Sequence, residues 1–239
     1  MKLLKALTMC GLMCLAFNGK TQEAHAQDKT QWRLGLGGYW SLNVPLMGLR
    51  DRVTDTGKVG GTLSYVMSPS TILELEGYYA KFNNGKLEDL EFVWPVDGNS
   101  YSSPQALSEM TLKSAILNLV LHSSSDRAFT PGGISPYLAF GVGFYDYDFY
   151  NENLVFGAQT SPPLDTTLVL HPFSDTRTAL SFNLGLGAQA FIIENWALDV
   201  RARYNMMIGE LREVVQYNIG HTFPIQLFDM SVGIKFYFK

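Results

Sequence analysis

Hydrophobic and polar residues alternate along the stretch 178–207. Apolar side chains occupy every second position of 180–190 and again of 196–206, and the positions between them are polar or glycine except for Ala197. Because successive side chains of a β-strand point to opposite faces, this period of two predicts two strands joined by a tight reversal at 193–195. About ten residues per tilted strand suffice to cross a bilayer. The stretch therefore predicts one hairpin of a transmembrane β-barrel.

The same alternation predicts six more strands, which complete a set of eight. They are 32–40, 58–66, 71–82, 110–122, 135–148 and 228–238. The connections alternate between short or moderate ones (67–70, 123–134, 193–195) and long ones (41–57, 83–109, 149–177, 208–227). Outer-membrane barrels combine an even strand number with short periplasmic turns and long extracellular loops. We therefore predict an all-β fold, an eight-stranded antiparallel up-and-down transmembrane barrel.

The alternation alone also fits a soluble lipocalin-type barrel, whose apolar side chains face inward. The polar faces of the predicted strands are rich in glycine, as a crowded small lumen requires, and carry charges of both signs. We expect a polar network in the lumen formed by Arg33, Glu74, Glu76, Asn183, Asp199, Arg201, Arg203 and Lys235. Buried charges need partners, and side chains just fill an eight-stranded barrel. We therefore favour apolar side chains facing lipid and a structural plug, with a pore or gate as the alternative.

The first residues predict a secretory signal that occupies 1–26. Two lysines precede an apolar segment at 6–17, and a small-residue cleavage site lies at 24–26. The barrel domain would then be 27–239. Both cysteines of the chain lie inside the predicted signal, so we expect no disulfide in the mature protein. The chain has a formal net charge of −4 and no basic block, which argues against a nucleic-acid partner.

Three segments resemble the small outer-membrane barrels of the OmpA, OmpX and OmpW type. They are SPYLAFGVGF at 135–144, LGLGAQAFIIENWALDVRARY at 184–204 and SVGIKFYF at 231–238. The resemblance implies residence in the outer membrane of a Gram-negative cell, surrounded by lipid and lipopolysaccharide. It also implies that the barrel-assembly machinery recognises the aromatic last strand, although here Lys239 follows Phe238. These motifs specify architecture rather than activity.

Candidates for chemistry are weak, and we expect no catalytic residue, cofactor or metal. His122 and Ser124 resemble part of the His-x-Ser arrangement of barrel lipid A deacylases, but they fall at the predicted periplasmic end and lack an acidic third member. His171 and His221 lie in different loops without metal-site spacing. A possible Ca²⁺ cluster lacks the spacing of a known calcium loop and consists of Asp146, Asp148, Asn151 and Glu152.

The long loops carry many apolar residues. They are Leu90, Phe92, Val93, Trp94, Tyr101, Phe149, Tyr150, Leu154, Val155, Phe156, Val214, Val215, Tyr217, Ile219 and Phe223. The loops either pack on one another or form a contact surface for an extracellular partner, lipopolysaccharide or a small hydrophobic ligand. We predict a non-enzymatic outer-membrane barrel with a role in envelope structure or surface interaction. The alternatives are an OmpW-like conduit for small hydrophobic molecules and a barrel lipid hydrolase.

Overall fold

The predicted eight-stranded antiparallel barrel is confirmed. The computed structural model describes residues 34–83, 85–123 and 127–238, so the predicted signal 1–26 and residues Arg33 and Ser124 lie outside the described residues. The strands are β1 (Leu34–Leu46), β2 (Thr56–Ser68), β3 (Thr71–Phe82), β4 (Glu91–Val93), β5 (Ser100–Ser102), β6 (Leu107–His122), β7 (Ile134–Glu152), β8 (Phe173–Ile193), β9 (Trp196–Met207) and β10 (Ile225–Phe238). Eight of them close the barrel in the order β1-β10-β9-β8-β7-β6-β3-β2.

The first and last strands close the barrel. β1 pairs antiparallel with β10 from Leu34 opposite Phe238 to Leu46 opposite Gln226. β4 and β5 form a separate two-stranded hairpin that the alternation did not predict. A closed sheet has no edge strand, although residues 173–180 of β8 extend beyond the closed part and pair with β7 only.

The strands extend further at one end than the sequence predicts. Residues 47–55, 83–106, 153–172 and 208–224 connect the strands at this end, which we call the loop end; 69–70, 123–133 and 194–195 connect them at the turn end. The expected strict alternation of loop length is not kept, because the extension of β1 and β2 leaves 47–55 no longer than 123–133. None of the helical turns in the described ranges is long and apolar enough to cross a membrane.

The outer wall is an apolar band. On β7 the exposed apolar positions run from Ile134 to Phe144, and the next outward positions are Asp146 and Asp148. At about 3.4 Å per residue and a tilt of about 40°, this run spans about 26 Å of membrane normal. That height agrees with the lipid-facing band of outer-membrane barrels. The rest of β7 therefore rises beyond the hydrocarbon at the loop end.

Interior glycines make room for tyrosine rings on neighbouring strands. A Cβ atom at Gly60 would lie 2.5 Å from the phenol carbon of Tyr39, and one at Gly187 would lie 2.3 Å from that of Tyr137. Both distances are far below van der Waals contact. The glycines on the polar faces of the strands are therefore needed for close packing inside a narrow, filled lumen.

Candidate functional site

A belt of eight charged side chains crosses the middle of the lumen, and we call it the charged belt. All eight are buried, and they comprise four acids and four bases: Glu74, Glu76, Asp199 and Asp229 against Lys58, Arg201, Arg203 and Lys235. They come from β2, β3, β9 and β10, where each occupies an inward position of the alternation. The formal charges of these eight groups cancel, so the belt needs no counter-ion.

Arg203 lies at the centre of one half of the belt. Its Nη1 and Nη2 each donate to a carboxylate oxygen of Glu76 at 2.7 Å, and its Nε donates to Asp229 Oδ2 at 3.2 Å. Lys58 Nζ donates to the same Asp229 oxygen at 2.8 Å, as does the amide of Asn205 at 2.7 Å. Two parallel bonds between a guanidinium and a carboxylate fix both distance and orientation. This half therefore holds β2, β3, β9 and β10 in one arrangement.

Arg201 organises the other half. Its Nη2 lies 2.8 Å from Glu74 Oε1, and its Nε donates to the hydroxyl of Tyr137 at 2.9 Å. Tyr137 in turn donates to Asp199 Oδ1 at 2.7 Å. Lys235 pairs with Glu74 and lies 3.2 Å from Asp199 Oδ2. Every cation of the belt therefore has a carboxylate partner, as buried charges require.

The structure brings together six of the eight residues predicted for the lumen network. Asn183 is also buried in the lumen, beside Gly141, but its side-chain amide has no hydrogen-bond partner among the described residues. Arg33 lies outside the described residues. The prediction missed Lys58 and Asp229 because both stand at the ends of predicted strands. Asp229 lies an even number of residues from Lys235, so the alternation places both side chains on the same face of the strand. This spacing could have identified Asp229.

Apolar layers close the lumen on both sides of the charged belt. On β3 the inward positions read Ile72, Glu74, Glu76 and Tyr78, and the same order of apolar, charged and apolar recurs on β9 and β10. The loop-end layer contains Leu49, Tyr78, Phe82, Met110, Leu112, Ile116, Tyr145, Phe149, Met207 and Leu227. Within the belt, a cavity of about 10 Å³ borders Thr62, Glu76 and Arg203. Such a volume holds about one water molecule.

Phe129 fills the mouth of the barrel at the turn end. Its ring lies 5.0 Å from that of Tyr237 and 5.1 Å from that of Phe191, measured between centroids. The turn is tied to β8 by backbone bonds between Phe191 and the pair Gly132 and Gly133. Phe129 has a φ of 59°, which is unfavourable for a bulky residue. The packing of its ring thus holds a strained turn across the opening.

The weaker chemical candidates of the sequence do not assemble into a site in the described residues. His122 is buried at the turn end, where its Nδ1 is 2.9 Å from the hydroxyl of Ser135. Asp146 and Asp148 accept hydrogen bonds from threonines of β8, whereas Asn151 is buried on the opposite face of β7. Across the described ranges, no three histidine, cysteine or acidic side chains are grouped to hold a metal ion.

The long connections fold into a second apolar core above the barrel, which we call the cap. Its buried residues are Leu87, Phe92, Trp94, Ala106, Leu154, Val155, Leu164, Val214, Tyr217 and Ile219. The rings of Phe92 and Tyr217 lie 5.1 Å apart, and Trp94 Nε1 donates to the carbonyl of Gln159 at 2.8 Å. Most of the apolar residues noted in the loops therefore pack on one another.

Arg52 ties the cap to the mouth of the barrel. It is fully buried, donates to Thr222 Oγ1 at 3.1 Å, and donates to the carbonyls of Arg212 at 2.6 Å and Gly220 at 2.9 Å. Its guanidinium also lies 5.5 Å from the ring of Phe149. Segment 47–55 is thereby joined to segment 208–224 across the loop end, so the cap is part of the folded barrel.

The chain belongs to the outer membrane protein beta-barrel domain family, whose pattern matches residues 10–236. This agrees with the closed wall of eight strands. A search among curated proteins finds no match.

Solved structures are similar to this chain at low sequence identity. Neisserial surface protein A is 12% identical, with a TM-score of 0.50, and the alignment covers 86% of this chain and 97% of that one. A major outer membrane protein from Thermus thermophilus is 10% identical with a TM-score of 0.49, covering 85% and 99%. OprG from Pseudomonas aeruginosa is 12% identical with a TM-score of 0.42, covering 87% and 96%.

Proposed function

We propose that this protein is a sealed, non-enzymatic outer-membrane barrel that serves envelope structure or surface interaction through its cap. The observation that carries the proposal is the lumen, where a charge-balanced belt lies between two apolar layers. A solute crossing the barrel would have to break paired ions and displace close-packed rings. The barrel therefore anchors the protein in the membrane, and the cap makes the contacts with other molecules.

We also propose that the loop end faces the outside of the cell, with lipid and lipopolysaccharide around the wall. The strands rise beyond the apolar band at this end only, and the folded cap lies there. The barrel-assembly machinery would act on the aromatic end of β10, in keeping with the resemblance described above. A cysteine introduced at the exposed Val96 should react with a membrane-impermeant maleimide on intact cells. Reaction only after the outer membrane is broken would reverse the orientation.

The conduit alternative has less support. It needs an apolar pocket that opens from the cap or through the wall, yet the apolar residues of the cap are largely occupied by one another. A groove of about 680 Å³ lies along β1, β9 and β10 beside Trp40 and Trp196, but its apolar side chains belong to the lipid-facing band. The hydrolase alternative is weaker still, because His122 is buried in the lumen and away from any lipid surface.

Single-channel recording tests the proposal. The refolded chain 27–239, inserted into a planar bilayer, should give no discrete openings over a range of voltages. A variant that removes Phe129 and the belt residue Arg201 serves as a positive control for detecting a leak. Stable openings of the unaltered protein would overturn the sealed-barrel proposal and favour transport.

A further inference from the structure

The cap exposes valine side chains that its own core does not use. Val93 is 64% exposed on β4, Val96 is 43% exposed at the apex of the β4–β5 hairpin, and Val215 is 73% exposed at the tip of segment 208–224. Turn tips normally carry Gly, Pro, Asn, Asp or Ser. Phe92 precedes Val93 and Val214 precedes Val215, and both of these neighbours are buried in the core of the cap.

Val93 and Val215 belong to elements that touch each other. β4 contacts the turn Val215–Tyr217, and beneath them the rings of Phe92 and Tyr217 pack edge to face. Along β4 the burial alternates, so Glu91 and Val93 face away from the core that Phe92 enters. Two exposed valines therefore lie on adjoining parts of the cap, with a carboxylate next to one of them.

The cap segments that include these valines are acidic as a group, although Glu210 is paired with Arg177 of β8. The segments 83–106, 153–172 and 208–224 contain seven carboxylates and two basic residues, histidines not counted. The carboxylates are Glu88, Asp89, Glu91, Asp97, Asp165, Glu210 and Glu213, and the basic residues are Lys86 and Arg212. This charge repels anionic lipopolysaccharide headgroups and a second copy of the same surface. It attracts a basic partner and speeds its approach.

The hairpin tip is held rigid before any partner arrives. Asp97 accepts hydrogen bonds from the Asn99 backbone at 2.9 Å and from the Tyr101 hydroxyl at 2.6 Å. The bond from Tyr101 lowers the pKa of Asp97. Gln159 ties segment 153–172 together through Phe156 and Asp165. A preordered surface loses little conformational entropy on binding.

We propose that the valine-bearing face of the cap docks a basic protein segment, with an apolar side chain of the partner against Val93 and Val215 and its lysines or arginines facing the carboxylates. This inference rests on the proposed surface role and names the chemistry of the partner. Its failure is distinguishable from failure of the sealed barrel, because conductance tests the lumen and binding tests the cap.

The test measures binding to the full mature chain in phosphatidylcholine nanodiscs. The probe is a fluorescently labelled peptide of alternating lysine and leucine, and the comparison is the same peptide with glutamate in place of lysine. Empty nanodiscs give the background from lipid. We compare the unaltered protein, the variant Val93→Ser with Val215→Ser, and the variant Glu91→Gln with Glu213→Gln. Matched controls at the same end are Met47→Ser, which removes another exposed apolar residue, and Asp51→Asn with Asp55→Asn.

The lysine peptide should bind the protein above the lipid background, and added salt should weaken that binding. The valine variant should bind about tenfold more weakly or worse, as expected when apolar contact area is lost. The glutamine variant should bind several-fold more weakly with a smaller salt dependence, and the matched controls should bind as the unaltered protein does. Equal binding by the valine variant, or equally tight binding of the glutamate peptide, would overturn the proposal. So would concentration-dependent pairing of the protein through the cap.

Discussion

Removing one charge from the belt should cost far more stability than removing an equal charge from the surface. In the variant Glu76→Gln, Arg203 loses the carboxylate that it meets through two bonds of 2.7 Å. The remaining carboxylate partner of Arg203 is Asp229, which already pairs with Lys58. One carboxylate then faces two cations among the buried side chains of the lumen. Breaking a buried pair in this way typically costs about 3–5 kcal/mol.

The free energy of unfolding can be measured by urea titration in phospholipid vesicles, followed by tryptophan fluorescence. The matched control is Glu109→Gln, which removes a carboxylate 2.8 Å from Lys81 where the two side chains are 29% and 40% exposed. Exposed pairs of this kind contribute about 0.2–1 kcal/mol. Glu76→Gln should therefore lose at least about 2 kcal/mol more stability than this control.

A second substitution can show that the loss is electrostatic. Adding Lys58→Met to Glu76→Gln leaves Asp229 to Arg203 alone and restores the balance of charge in the belt. The double variant should therefore recover part of the stability lost by Glu76→Gln, a coupling that a double-mutant cycle measures directly. If Glu76→Gln costs no more than Glu109→Gln, or if Lys58→Met only adds to the loss, the belt does not act as a paired network.

Two further predictions concern the two faces of the wall. Gly60→Ala should destabilise the barrel by about 1–3 kcal/mol because its new methyl would lie 2.5 Å from a buried phenol carbon. The adjacent Gly61 faces outward, and a Cβ there would have its nearest atom at 3.5 Å, so Gly61→Ala should stabilise the barrel by about 0.4–1 kcal/mol. If urea unfolding gave the reverse order of stability, the packing described for the lumen would be contradicted. Leu184→Arg should cost about 2–4 kcal/mol in the apolar band, and Thr176→Arg, exposed on the same strand beyond the band, should cost little; equal losses would refute the face assignment.

The wall of the barrel could be predicted from the sequence because a single period of two governs it. Each wall strand has one face against lipid, where charged residues are costly. The register of β7 or β9 is therefore visible in every second residue. The ends of strands were less accurate. Beyond the apolar band the outward side chains become polar, as Asp146 and Asp148 show, and the alternation fades although the hydrogen-bonded ladder continues to Glu152.

The composition of the lumen was only partly predictable. Charged inward residues could be recognised in the sequence. For inward apolar residues such as Leu112 and Tyr145, however, the sequence does not indicate their height within the lumen. The pairing of Arg203 with Glu76 joins β9 to β3, strands that are not neighbours in the wall. Pairing across the lumen depends on the shear of the closed sheet, which no local pattern contains. The fold of the cap likewise depends on contacts between distant segments, such as the bond from Trp94 to Gln159.

The most direct test of a sealed lumen is access of water-soluble reagent to its middle. Thr62 borders the small cavity within the charged belt and is 7% exposed, so Thr62→Cys places a thiol there with little change in volume. In chain 27–239, which contains no other cysteine, this thiol should stay unmodified by a small cationic thiosulfonate, while Val96→Cys on the cap reacts fully. Rapid modification of the Thr62→Cys thiol in the folded, inserted protein would mean that water and ions reach the belt and that the barrel is open.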